Sequence, residues 1–130
     1  MPTPIRVLIA EDSEAMRTAI CALLANEPGI GVCGQANNYD ELFKVHLECS
    51  PEVVLMDLRM PGNERVNTEY VKGQLRSSCL LAMSFAKDEE TVNLAKAYGA
   101  IKLLDKVDLA SILAPAIREC VSQGGKVHHA

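Results

Sequence analysis

Asp57 closes the apolar run Val53-Val54-Leu55-Met56 and is followed by Leu58-Arg59-Met60-Pro61-Gly62. A short apolar run with β-branched residues, bounded by a turn signal, reads as a buried strand. A carboxylate at the carboxyl end of such a strand sits on the rim where open α/β sheets place their ligands. A second run, Ile5-Arg6-Val7-Leu8-Ile9-Ala10, ends in Glu11-Asp12. If the two strands are neighbours, three acids converge on one small volume. Like charges at close range are costly unless a cation lies among them or a proton is shared. The reading that follows is a divalent metal site with one carboxylate left as a nucleophile. Two more strand ends supply complementary groups, Ser84 after Leu80-Leu81-Ala82-Met83 and Lys106 after Ile101 to Asp105. Carboxylates suit Mg2+, a hard cation that prefers oxygen. A hydroxyl and an ammonium suit the oxygens of a phosphoryl group. Together these groups describe phosphoryl transfer onto an acid.

Strand and helix patterns alternate along the whole chain. Strands are predicted at Ile5 to Ala10, Ile30 to Ala36, Val53 to Met56, Leu80 to Met83 and Ile101 to Leu104. Ser13 is the expected cap of a first helix, with Ala15, Met16, Ala19, Ile20, Leu23 and Leu24 at helical spacing. Asn38 or Asp40 starts a second helix that ends before Ser50-Pro51. A third runs from about Val66 to Leu75, with Val66, Tyr70, Val71 and Leu75 on its buried side. Asp88 starts a fourth, which stops at Gly99, and Asp108 caps the last, which Gly124-Gly125 ends. Pro115 lies inside that last pattern and is expected to kink the helix or delay its start. Five βα units imply a parallel sheet with helices on both faces.

The chain has 130 residues, 48% hydrophobic and 23% charged, enough for one globular domain with its own core. A formal net charge of -4 argues against a nucleic-acid-binding surface on this chain. No apolar stretch is long enough to span a membrane, and Met1-Pro2-Thr3-Pro4 is not a signal segment, so a cytoplasmic location is expected. Cys21, Cys33, Cys49, Cys79 and Cys120 are odd in number, contain no C-x-x-C pair and lie in or beside apolar segments. They read as free, buried apolar filler in a reducing compartment.

With these residues in place, the chain resembles the receiver domains of two-component response regulators, over essentially residues 5 to 123. The resemblance rests on Ala10-Glu11-Asp12, on Leu55-Met56-Asp57-Leu58-Arg59-Met60-Pro61-Gly62, on Ser84, and on Gly99-Ala100 leading to Leu104-Asp105-Lys106. The Asp-Leu-Arg-Met-Pro-Gly stretch resembles receivers of the NarL/FixJ type. The resemblance implies an α/β, doubly wound, five-stranded parallel sheet in the flavodoxin-like order 2-1-3-4-5. It implies a receiver over residues 1–125 with a disordered tail over 126–130. It assigns Asp57 as the acceptor of a phosphoryl group from a histidine kinase or phosphotransfer protein. Asp12, Asp57 and the backbone carbonyl of Arg59 would bind Mg2+, with Glu11 meeting it through a water and orienting Lys106. Ser84 and Lys106 would hold phosphoryl oxygens, while Arg59 and Ala86 would tune hydrolysis. The face of helix four, strand five and helix five would be read by an output domain or partner, and is the candidate surface for a homodimer. The chain would be a signalling domain and not an enzyme with turnover. Direct nucleic-acid or membrane binding is not expected.

The sequence departs from the family pattern at three positions. Leu103 stands where an aromatic residue is common on strand five, so Tyr98 is the candidate to carry coupling instead. Arg65 stands where the loop after Pro61-Gly62 usually has a second glycine, a strain if φ is positive there. Val107 replaces a frequent proline after Lys106, where a cis bond would cost about 3 kcal/mol.

Competing readings stand beside these. A degenerate receiver would keep the fold as an interaction module without taking phosphate. An Asp-nucleophile phosphatase resembling the haloacid dehalogenases would need a second Asp two residues after the first, and Asp12-Ser13-Glu14 lacks it. Gly29-Ile30-Gly31-Val32-Cys33-Gly34 matches G-x-G-x-x-G, but it follows a helix and becomes a strand, so no helix N-terminus meets a pyrophosphate. His46 reads as a partly exposed helical residue without a role. His128-His129 read as tail residues, and Lys87-Asp88-Glu89-Glu90 as a solvated helix start.

Overall fold

The computed structural model describes residues 3–62 and 66–129, with side chains described up to residue 122. The elements follow as β1 (Ile5–Ala10), α1 (Glu14–Ala25), β2 (Ile30–Ala36), α2 (Tyr39–Cys49), β3 (Val53–Asp57), α3 (Thr68–Gln74), β4 (Cys79–Ser84), α4 (Glu89–Ala97), β5 (Lys102–Asp105) and α5 (Leu109–His129). All strand pairs are parallel, in the order β2-β1-β3-β4-β5. This is the expected doubly wound sheet.

Side chains alternate across the pleat and build two cores. Val7, Ile9, Val53, Leu55, Leu81 and Met83 join Ile20 and Leu24 of α1 and Leu113, Ile117 and Cys120 of α5. Leu8, Ala10, Val54, Met56 and Ala82 join Tyr39 and Leu42 of α2, Val71 of α3 and Ala95 of α4 on the opposite face. With both faces covered, β3 is buried from end to end, which explains its continuous apolar sequence.

Helix starts were mostly legible. Ser13 Oγ accepts from Met16 N at 3.2 Å and Asn38 Oδ1 from Glu41 N at 2.8 Å. Helix α3 begins later than the apolar pattern suggests, because Asn67 caps it by accepting from Tyr70 N at 2.7 Å. Tyr70 is then half exposed, not on the buried side.

The last helix corrects several expectations. Asp108 is not its cap. The chain enters through a 3-10 turn, Lys106–Asp108, capped by Asp105. Pro115 lies inside the helix and does not delay it. Its cost of about 3 kcal/mol is offset by burying Leu109, Leu113 and Ile117, each contributing about 1.5–3 kcal/mol. The helix also runs past Gly124-Gly125 to His129, where its end was expected. Extending an anchored helix needs no new nucleus, and each glycine costs only about 1 kcal/mol. The side chains of His128 and His129, and all of Arg65, lie outside the described residues.

Two further expectations fail. Cys79 and Cys120 are joined in a disulfide, with 6.0 Å between their Cα atoms, tying the start of β4 to α5. They are therefore not free filler. His46 is 7% exposed instead of partly solvated, because its turn of α2 packs over Ser78.

Candidate functional site

Four strand ends make the rim. Ala10 is level with Met56 across β1 and β3, so Glu11-Asp12 and Asp57 leave the sheet side by side. Oxygens of Glu11, Asp12 and Asp57 lie within 4.8 Å of one another. Ser84 pairs in register with Asp105, which brings Lys106 back to the same end of the sheet. The cleft between these loops is lined by Glu11, Asp12, Ser13, Asp57, Arg59, Ser84, Phe85, Ala86 and Lys106. All five side chains singled out in the sequence therefore meet, and Arg59 and Ala86 flank them.

The inner groups are nearly sealed from solvent, with Glu11, Asp57 and Ser84 all buried and Asp12 exposed. The Lys106 ammonium sits 2.7 Å from Glu11 Oε1 and 3.3 Å from Asp57 Oδ1. Glu11 Oε1 finds no hydrogen bond of good geometry, whereas Glu11 Oε2 accepts from Ser13 N at 3.0 Å. Burial pushes the Glu11 carboxyl above its ordinary value, opposed by Lys106 and the Ser13 amide. Arg59 N donates to Asp57 Oδ1 at 3.0 Å. The Ser84 hydroxyl accepts from Ala86 N at 3.0 Å, which fixes it at the mouth of the loop.

The residue after Lys106 has a local explanation. No peptide bond is cis among the described residues, and Val107 uses the N–H that proline would lack to donate to Asp105 Oδ1 at 3.0 Å. Asp105 also pairs with Lys87 at 2.8 Å, which holds its carboxyl below the ordinary range. A small network thus fixes the turn that presents Lys106.

Three participants escaped the sequence reading. Phe85 is 62% exposed at the cleft, and the Lys106 ammonium lies 5.3 Å from its ring centroid, a cation–π distance. An apolar residue directly after a rim serine was the available signal. Arg17, one turn into α1, donates to the Glu11 carbonyl at 2.7 Å. Tyr39 lies against Gly62, whose φ of +95° only glycine adopts without strain. Its hydroxyl donates to that of Tyr98 at 3.2 Å. Burial holds the Tyr39 phenol above its ordinary value, with the Tyr98 hydroxyl adding to it. Leu103 packs into the same core as both tyrosines.

Comparison with known proteins agrees with this architecture. The transcriptional regulatory protein LiaR of Bacillus subtilis is 33% identical over 115 residues, 88% of this chain and 54% of LiaR. The chain thus spans about half the length of that relative. The receiver domain of the response regulator NarL from Mycobacterium tuberculosis superposes with a TM-score of 0.82 at 23% identity, covering 93% of this chain and 98% of that one. A chain from the complex of the CheA3 P1 domain with CheY6 of R. sphaeroides superposes with a TM-score of 0.79 at 22% identity, covering 93% and 99%. The response regulator receiver domain model matches residues 7–116. That span takes in every strand end that builds the rim, and the chain belongs to the response regulator receiver domain family.

Proposed function

We propose that the chain is a phosphorylation-controlled switch that takes a phosphoryl group onto Asp57 from a phosphohistidine of a sensor kinase or phosphotransfer protein. The observation that carries the reading is the Lys106 ammonium held between buried Glu11 and Asp57, with Ser84 on the same cleft. Among the described residues, Arg59 N and the Lys106 ammonium both meet the Asp57 carboxylate at Oδ1, and Oδ2 is the proposed attacking atom. As its bond to phosphorus forms, the P–N bond breaks and the electron pair returns to the imidazole nitrogen. Lys106 and the Ser84 hydroxyl then meet the phosphoryl oxygens, donating where negative charge gathers.

Three carboxylates within 4.8 Å against one buried ammonium leave uncompensated negative charge, and their hard oxygen donors fit Mg2+. Glu11, Asp12, Asp57 and the Arg59 carbonyl would hold it. When bound, the ion supplies the positive charge that lets a phosphoryl group approach the acids.

Signalling follows if the phosphorylated site favours one of two conformations. The face of α4, β5 and α5 is the proposed output surface, read by a partner, an output domain or a second copy. The Tyr39–Tyr98 contact, which ties α2 to the end of α4, is the proposed substitute for the aromatic residue absent at Leu103. LiaR is described as a transcriptional regulator, and control of transcription by a longer protein in the cytoplasm is the corresponding output here. Among the described residues no helix is long and apolar enough to cross a membrane. The chain's chemistry is confined to gaining and losing its own phosphoryl group.

The test is intact mass after incubation with acetyl phosphate. The expected result is one added phosphoryl group that requires Mg2+ and disappears in Asp57→Asn. Labelling that persists in Asp57→Asn would contradict the reading, as would no labelling of the folded chain beside an active control receiver.

A further inference from the structure

Edge strand β2 carries an irregularity with a chemical consequence. Val7 pairs with Val32, but Leu8 pairs with Gly34, so Cys33 is an extra residue in a bulge. A bulge re-aims the side chain of its extra residue. Here it brings Cys33 Sγ to 2.8 Å from Cys49 Sγ, in the last turn of α2. The approach depends on Gly34, since a Cβ there would collide with Val45 and lie 3.4 Å from Cys49 Sγ. Helix α2 is thus pressed onto the bulge, and both thiols are half buried at the sheet's open edge. Neither belongs to the acidic rim.

We propose that Cys33 and Cys49 form a thiol modification site that closes to a disulfide on exposure to a small-molecule disulfide, clamping α2 to β2. The sulfurs need to close by less than about 1 Å to reach the bond length of a disulfide. One thiolate attacks the small disulfide, forms a mixed disulfide and releases one thiol of the reagent. The second protein thiol loses its proton to solvent, attacks the Cys sulfur of the mixed disulfide and displaces the second reagent thiol. Two thiols are oxidised and one disulfide is reduced. Burial, then the Cys33 sulfur, pushes the Cys49 thiol up to about 12. That disfavours a metal-binding thiolate pair, while proximity makes the second step intramolecular and drives closure. The site is independent of the Cys79–Cys120 bond, which ties β4 to α5 on the other face.

The test uses the chain with Cys21→Ser, reduced, desalted, incubated with glutathione disulfide, quenched with N-ethylmaleimide and digested without reductant. Circular dichroism before the quench establishes that the chain is folded. The expected product is a linked peptide pair joining Cys33 to Cys49, with neither thiol alkylated and no retained glutathione. Cys49→Ser should instead leave Cys33 alkylated or carrying glutathione. Two alkylated thiols, two glutathione adducts, or crossed links to Cys79 or Cys120 in the folded chain would overturn the proposal. If Cys21→Ser fails to fold, the same map on the parent chain decides it, since fragmentation distinguishes Cys21 from Cys33.

Discussion

Lys106 has the most demanding position of any single residue. It is a nearly buried cation between two buried carboxylates, so its ammonium does more for the acids than for itself. Replacing it leaves Glu11 and Asp57 facing each other without compensation. Breaking a buried pair on one side typically costs 3–5 kcal/mol, and the neighbouring open cleft places this case near the lower figure. Lys106→Met is therefore expected to lower stability by about 3 kcal/mol in metal-free buffer, read from the urea midpoint, and added Mg2+ should recover part of the loss. The same variant should lose phosphoryl uptake. An unchanged midpoint would mean that the ion pair does not offset acid repulsion. The acids, Ser84 and Lys106 were legible because each ends or closely follows an apolar run, a signal local in sequence. Phe85 and Tyr39 were not, because their contacts exist only once loops from different βα units meet, and Arg17 was not, because its bond to the Glu11 carbonyl depends on how the β1–α1 loop folds back.

Helix α2 shows what a local pattern can and cannot convey. Its cap at Asn38 and its end before Ser50 follow from side-chain chemistry, with Ser50 taking a φ of 45° to stop the helix. Its packing does not follow. Ser78 Oγ donates to the Pro51 carbonyl at 2.7 Å, so it must accept from His46 Nε2–H at 2.9 Å. Burial lowers the His46 pKa from 6.5 in the folded state. The unfolded chain then binds the extra proton first. The stabilisation is complete above pH 6.5 and is lost as pH falls from there towards the folded value. His46→Gln should flatten this part of the stability profile, measured by urea unfolding above and below pH 6.5. Equal slopes for parent and variant would contradict the assigned burial. The bulge at Cys33 was equally hidden, because strand register depends on the partner strand.

Across the molecule, two helical layers clasp one parallel sheet, and the sequence made that plain through five alternating units. The strand order entered through family resemblance, and the three-dimensional register then brought the acids together. The cysteine reading failed at this level. Five cysteines allow many pairings, and nothing local indicates that Cys79 at the start of β4 faces Cys120 on α5. A link across a separation of 41 residues restricts the unfolded chain, and a loop-entropy estimate gives about 4 kcal/mol. Dithiothreitol should therefore lower the urea midpoint of the parent chain, and should have little effect on a Cys79→Ala, Cys120→Ala double variant. The absence of any shift in the parent would show that the bond contributes nothing to stability.

The switch proposed for this chain turns on Asp57 itself carrying the phosphoryl group. The most direct measurement is borohydride reduction of the chain after acetyl phosphate and Mg2+ treatment, followed by peptide sequencing in the mass spectrometer. An aspartyl phosphate is reduced to homoserine, so homoserine is expected at position 57, with Glu11 and Asp12 unmodified. Reduction at another acid, or a stable phosphoryl group elsewhere with Asp57 untouched, would contradict it.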